Sequence, residues 1–294
     1  MLLPTMTYFD FSDTQIVVLA QADCARALAE DVGTGDLTAA LIDPARLVKA
    51  RILAREAAVI CGAPWVQAAI QQLDPQARIH WHVAEGTVCY PNQVVVEIEG
   101  HAQALLTAER TALNFLQLLS GVATKTASFV QAVSEVPNNC AQIVDTRKTL
   151  PGLRLAQKYA VRTGGGTNHR IGLFDAVLIK ENHIAAAGGV SAALQRAKAA
   201  AHHAKFIEIE VETLDQLREA LDQGATMVLL DNMRLAQLQE AVALNAGRAI
   251  LEVSGGVNLA TVRDIAATGI DRISIGGLTK DVQAIDFSMR FEDL

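Results

Sequence analysis

Apolar and polar positions recur in two different rhythms along this chain, and the change comes near residue 140. Before it, Ile16, Leu19 and Ala20 repeat at helical spacing, which predicts a helix over residues 14–30. A turn-rich segment follows, Asp31-Val-Gly-Thr-Gly-Asp-Leu-Thr38. Runs at 48–60, 79–83 and 94–98, separated by glycine and proline, predict strands. A strongly apolar stretch over 104–119 predicts a helix that stops at Ser120-Gly121. This half reads as an α+β domain.

After residue 140, short and nearly continuous apolar runs alternate with amphipathic helix patterns. The runs are Gln142–Asp145, Ala176–Ile179, Phe206–Val211, Met227–Leu230, Ile250–Val253 and Arg272–Ile275. Strands that are apolar on both faces and alternate with helices predict a parallel sheet covered by helices. The later units repeat every twenty-odd residues, a spacing that suits a (β/α) barrel better than a doubly wound sheet. The runs end at Asp145-Thr146-Arg147-Lys148, Lys180, Glu210, Asp231, Ser254-Gly255-Gly256 and Gly276-Gly277. The carboxyl ends of barrel strands converge on one mouth, so this series predicts an active site there.

Charge sharpens that picture. The chain of 294 residues carries a net charge of −7, and its 51% apolar composition excludes a disordered chain. Nothing in that balance attracts nucleic acid, and no apolar run is long enough for a membrane helix. Residues 147–180 nevertheless hold seven Lys and Arg against one acid, Asp175, a local +6 on a body of −13. Such a pocket selects small, highly charged anions, and arginine suits carboxylate or phosphate through its planar fork. Arg147, Lys148, Arg170 and Lys180 sit at strand ends or in a glycine-rich loop and are the candidates. Arg154, Lys158 and Arg162 fall on a helical pattern and are expected on a solvated face.

Gly164-Gly-Gly166 could cradle a ligand or end a helix. Ser254-Gly255-Gly256 and Ile275-Gly276-Gly277 close the last two strands, where barrels commonly hold a phosphate on backbone amides. Glu210 and Asp231 could bind Mg²⁺, accept sugar hydroxyls, or pair with the opposing lysines. His169 and His183 could transfer protons or simply hold hydrogen bonds. Cys24, Cys61, Cys89 and Cys140 form no C-x-x-C pair, and the first residues carry no basic leader region. The expectation is a cytoplasmic protein with reduced thiols.

Three motifs carry a resemblance. They are Asp145-Thr-Arg-Lys-Thr-Leu-Pro-Gly-Leu-Arg154 with Lys158, Gly164-Gly-Gly-Thr-Asn-His-Arg-Ile-Gly-Leu173, and Leu178-Ile-Lys-Glu-Asn-His183. Ala29-Glu-Asp-Val-Gly-Thr-Gly-Asp-Leu-Thr38, Glu109-Arg-Thr-Ala-Leu-Asn-Phe115, Leu119-Ser-Gly121, Glu210-Val-Glu212, Asp231-Asn232 and Ser254-Gly-Gly256 extend it over nearly the whole chain. In these the sequence resembles the quinolinate phosphoribosyltransferase family. The resemblance implies an N-terminal α/β sandwich over 1–122 and an incomplete (β/α) barrel over 123–280, with the tail 281–294 packing back on the first domain. It implies a reaction of quinolinate with phosphoribosyl pyrophosphate, with Mg²⁺, giving nicotinate mononucleotide, pyrophosphate and CO₂.

It further implies that Arg147, Lys148, His169, Arg170 and Lys180, with Thr146 beside them, surround the two carboxylates of quinolinate. Glu210 and Asp231 would serve the ribose hydroxyls and Mg²⁺, and Lys148 and Lys180 would share with them the catalytic role. Ser254 to Gly256 and Ile275 to Gly277 would hold the 5′-phosphate. Arg110 would enter from the second subunit of a homodimer. A transferase for another aromatic acid and a silent nucleotide-binding protein remain as rivals. Lys180 argues against the first, since a second carboxylate needs an extra cation, and the intact set Arg147, Lys180, Glu210 and Asp231 argues against the second.

Overall fold

The structure is a computed structural model that describes residues 9–293. The opening residues 1–8, on which the leader expectation turned, lie outside the described residues. Helix α1, Asp13–Val32, buries Ile16, Ala20, Cys24 and Leu28, a stripe repeating every fourth residue. The following strands are β1, Leu47–Ala54, and β2, Ala58–Val59, then helix α2, Ala63–Leu73, and strands β3, Arg78–Trp81, β4, Val88–Cys89, and β5, Val94–His101. In β1 the residues Val48, Ala50, Ile52 and Ala54 point to the core in strict alternation. The expected run over 48–60 is two strands. It breaks at residues 55–57, after which Ala58 and Val59 pair with Cys89 and Val88 instead.

Helix α3 spans Ala102–Ser134 and runs straight through Ser120-Gly121, where the sequence predicted its end. Both small residues serve packing. Ser120 Oγ accepts the Cys61 N–H at 3.0 Å and donates to the Cys61 carbonyl at 3.1 Å. A Cβ on Gly121 would stand 2.1 Å from the Gln283 carbonyl oxygen, so only glycine admits that chain.

Beyond α3 come β6, Gln142–Val144, α4, Arg154–Thr163, β7, Val177–Ile179, α5, Glu181–Ala187, α6, Val190–Ala200, and β8, Ile207–Val211. Then follow α7, Leu214–Asp222, β9, Met227–Asp231, α8, Leu235–Asn245, β10, Ile250–Ser254, α9, Val262–Ala266, β11, Arg272–Ser274, α10, Gly277–Lys280, and β12, Phe287–Asp293. The chain divides into two compact units. Among the described residues the first collects 9–125, 150–164 and 281–293, and the second 126–149 and 165–280. The segment 150–164, which holds α4, thus groups with the first unit although it lies between two segments of the second.

In the first unit an antiparallel sheet runs in the order β12-β1-β5-β3, with Ala50 opposite both Phe291 and Ile98. In the second, six parallel strands run in the order β6-β11-β10-β9-β8-β7. Sequential strands are neighbours except at β6, which lies beside β11. On its other side β6 meets Thr167 through a single parallel bridge at Val144. This is the incomplete α/β barrel. The expectation of a solvated face for α4 fails at Lys158, which has no exposed surface, while Arg162 is exposed and stands over the Phe11 ring at 5.0 Å.

Candidate active site

Parallel strands end on one side of their sheet, and there the second unit holds a cavity of about 300 Å³. Among its lining residues are Thr146, Arg147, Lys148, His169, Arg170, Lys180, Glu210 and Ser254, all singled out in the sequence. Leu178, Leu229, Glu252 and Ser274 complete the wall. Asp231, Gly255 and Ile275 are direct neighbours of lining residues in the sheet or the chain, and Gly256, Gly276 and Gly277 follow a lining residue within three positions. Asp231 is the register partner of Ser254, and Gly276 underlies the Lys148 stem, where a Cβ would meet its Cδ at 2.9 Å. Arg110 is not among the lining residues and takes an exposed position on α3 in the first unit.

Each functional side chain has an identifiable support. Thr146 Oγ1 accepts the Lys148 N–H at 3.0 Å, and Thr279 donates to the Lys148 carbonyl at 2.7 Å. His183 Nδ1 accepts the Lys180 N–H at 3.0 Å, so His183 caps α5 and fixes the lysine at its start. Lys180 Nζ then reaches Glu210 Oε2 at 3.1 Å. Asn232 Nδ2 donates to Asp231 Oδ2 at 2.7 Å, and the Asn232 N–H to the Ser254 carbonyl at 3.0 Å. Gly255 adopts φ +102°, and a Cβ there would collide with Asn232 Oδ1 at 2.0 Å. The glycine lets β9 and β10 end close together.

The electrostatics favour an anion. Burial, and after it the charge of Arg147, hold the Arg170 guanidinium below the ordinary arginine range, against the opposing pull of Asp175 and Glu208. Two guanidinium groups that repel each other in a cavity are relieved by a bound carboxylate or phosphate.

His169 differs from its expected place among the cations. Its Nδ1 accepts the Arg170 N–H at 2.7 Å, and its Nε2 lies 2.7 Å from Glu208 Oε2. A nitrogen that accepts carries no proton, so the ring lines the cavity in neutral form. Four cations remain around the cavity: Arg147, Lys148, Arg170 and Lys180.

Sequence reasoning missed Glu208 and Glu252, both without exposed surface. Burial raises both carboxyl groups, to about 7 each. Arg272 and Arg170 pull Glu208 back, while Glu208 itself pushes Glu252 further up. The signal was present in the strand period. Glu208 precedes Glu210, and Glu252 precedes Ser254, by two residues, so each shares its neighbour's inward face one layer deeper.

Comparison with known proteins agrees with this geometry. Residues 122–290 match the family model for the quinolinate phosphoribosyl transferase C-terminal domain, and residues 36–120 that for the N-terminal domain. A probable nicotinate-nucleotide pyrophosphorylase (carboxylating) of Bacillus subtilis is 40% identical over 260 residues, which cover 88% of this chain and 89% of the relative. A quinolinate phosphoribosyltransferase (decarboxylating) 2b of Nicotiana tabacum is 39% identical, covering 90% and 80%. The solved nicotinate-nucleotide pyrophosphorylase of Francisella tularensis superimposes with a TM-score of 0.89 at 42% identity, covering 94% of this chain and 97% of that one.

Proposed function

Since this chain belongs to the quinolinate phosphoribosyl transferase family, we propose that it joins quinolinate to phosphoribosyl pyrophosphate, releasing pyrophosphate and CO₂ and giving nicotinate mononucleotide for NAD synthesis. The observation that carries this reading is the convergence of Arg147, Lys148, Arg170 and Lys180 on one cavity that also holds Glu210 and Ser254. A dicarboxylate and a phosphorylated sugar pyrophosphate together need many cations, acids for hydroxyl groups and loops rich in free amides.

In this reading the four cations hold the two carboxylates of quinolinate, with Thr146 beside them. Glu210 and Asp231 accept the ribose hydroxyls. The loops Ser254 to Gly256 and Ile275 to Gly277 hold the 5′-phosphate, the second through groups other than the Ile275 N–H, which donates to the Val144 carbonyl at 2.9 Å. As the bond from the anomeric carbon to pyrophosphate breaks, positive charge grows on the ribose and negative charge on the leaving group. Lys148 and Lys180 stabilise the departing anion, and Glu210 and Asp231 the cationic sugar, from positions fixed beforehand. The ring nitrogen of quinolinate then closes the new bond. Departure of the adjacent carboxylate as CO₂ leaves its electron pair on the ring carbon, where the neighbouring positively charged nitrogen stabilises it until that carbon takes up a proton. Orientation and fixed charge supply the rate, without a covalent intermediate on the protein.

Mg²⁺ fits the same wall, because Glu210 and Asp231 offer hard carboxylate oxygens at the ends of adjacent strands. These two carboxylates would hold the ion, which would supply positive charge against the pyrophosphate. A homodimer in which Arg110 of the partner subunit completes the cation set is also part of the proposal. It gives a role to an exposed arginine of α3 that is not among the residues lining the cavity.

The test is release of labelled CO₂ from carboxyl-labelled quinolinate. Release should require phosphoribosyl pyrophosphate and Mg²⁺ and match nicotinate mononucleotide mole for mole. A protein that binds phosphoribosyl pyrophosphate but releases no CO₂ is a silent nucleotide binder, and the proposal falls.

A further inference from the structure

From the cavity wall inward runs a charged cluster that the proposed chemistry does not use. Glu208 on β8 and Glu252 on β10 are fully buried, and Arg272 on β11 is the register partner of Glu252. Arg272 Nε stands 2.8 Å from Glu252 Oε2, and Glu252 Oε1 lies 3.5 Å from His169 Nε2. Phe206 packs edge-on against the imidazole with ring centroids 5.4 Å apart. Among the charged groups facing His169 are Glu208, Glu252, Arg272 and Arg170 and, at its backbone, the buried Asp145, which accepts the His169 N–H at 2.8 Å.

Hydrogen-bond polarity fixes the state of His169. Because Nδ1 accepts the Arg170 N–H, the single proton of the neutral ring is on Nε2. Nε2–H therefore donates to Glu208 Oε2 at 2.7 Å. The acceptor works whether Glu208 is ionised or protonated, since a protonated acid keeps a carbonyl oxygen. Its other oxygen, Oε1, is buried without a hydrogen-bond partner. The same polarity decides against a metal ion, although ligand atoms of His169, Glu208 and Glu252 lie within 4.8 Å of one another. A histidine ligating through Nε2 keeps its proton on Nδ1 and donates it to a second partner, whereas here Nδ1 faces a donor.

The imidazole is thus a rigid strut between a glycine-rich loop and the barrel wall. At one end it grips the backbone of Arg170, and at the other it is held by β8. We propose that Glu208 is a positioning residue: acting through the neutral ring of His169, it fixes the backbone of Arg170 and so sets where the Arg170 guanidinium meets substrate. Its kinetic consequence rests on the reading of the cavity as a quinolinate site. Its structural content does not.

Two measurements test it. In protein carrying ¹⁵N-histidine, the His169 resonances, assigned by their loss in His169→Asn, should show a protonated Nε2 and a bare Nδ1 at pH 7. A protonated Nδ1, or an imidazolium, overturns the proposal whatever the substrate proves to be. In steady-state kinetics Glu208→Ala should raise the KM for quinolinate roughly tenfold, about the worth of one displaced charge-assisted hydrogen bond. The KM for phosphoribosyl pyrophosphate should stay unchanged. Glu208→Gln keeps an acceptor oxygen and should restore the quinolinate KM to within about threefold of wild type. Adding Glu208→Ala to His169→Ala should change nothing further, because both break the same strut. Equal rises in both KM values, a Gln variant as impaired as the Ala variant, or additive effects in the double variant sink the idea. Should wild-type protein fail to turn over quinolinate, the functional reading falls, and the nitrogen resonances alone decide the strut.

Discussion

Arg147 follows the first barrel strand by three residues, and its charge is felt by the buried guanidinium of Arg170. Removing one of two adjacent cations relieves repulsion in the free protein but takes away a two-pronged carboxylate contact in the complex. Arg147→Ala should therefore weaken quinolinate binding by about 2–4 kcal/mol while phosphoribosyl pyrophosphate binds as before. Titration calorimetry with each ligand separately checks this, and parallel loss of both would mean that the variant is misfolded or the assignment wrong. At this scale most of the cavity was readable from the chain. Strand ends announce themselves by a polar residue after an apolar run, as Lys180 and Asp231 do, and Glu210 stands one residue before the end of its run. Glu208 escaped because it lies inside such a run. The state of His169 escaped because it depends on which groups face its two nitrogens, one of them the backbone of its own neighbour.

At the scale of elements, α3 teaches the complementary lesson. A serine and a glycine in an apolar helix read as a terminus when nothing is known of their surroundings. Their reason lies far off in sequence, at the Cys61 backbone and the Gln283 carbonyl. Gly121→Ala should consequently destabilise the protein by about 3 kcal/mol, despite the better helix propensity of alanine, because a methyl group would force backbone aside. Chemical denaturation read by far-ultraviolet circular dichroism measures it, and a neutral or stabilising effect would show that the chain yields there.

The antiparallel sheet offers a second test. Glu97 on β5 accepts from Lys49 and Arg51 on β1 and from His82, and these bonds, that of Lys49 foremost, hold its carboxyl down to about 2. A lowered folded-state value means stability that is complete above the ordinary value of 4.5 and lost as pH falls from there toward 2. Urea midpoints of Glu97→Gln should decline less steeply than those of wild type across that window, and the difference should shrink in high salt. Identical slopes would mean that the surface ion pairs contribute nothing.

For the whole molecule, the proposed exchange of Arg110 between two copies has an arithmetic consequence. Arg110→Ala and Lys180→Ala homodimers should each be nearly inactive. Unfolded together in equal amounts and refolded, they should regain roughly a quarter of wild-type activity, since half the dimers are hybrids and each hybrid has one intact site. If Arg110 acted within its own chain, every site in the mixture would lack a cation and no activity would return.

The strand order of the first unit also fixes a timetable. β12 is hydrogen-bonded along β1, from Ala54 opposite Phe287 to Val48 opposite Asp293, and the unit also draws in residues 150–164. The ribosome makes β1 early and β12 more than two hundred residues later. Through that interval one edge of β1 has no strand beside it and must be kept from pairing with other chains. The second unit, whose strands β7 to β11 pair each with the next, can assemble in the order it emerges. The segment that carries the cavity is therefore the one able to fold during synthesis, and the older half of the chain waits for the younger to finish it.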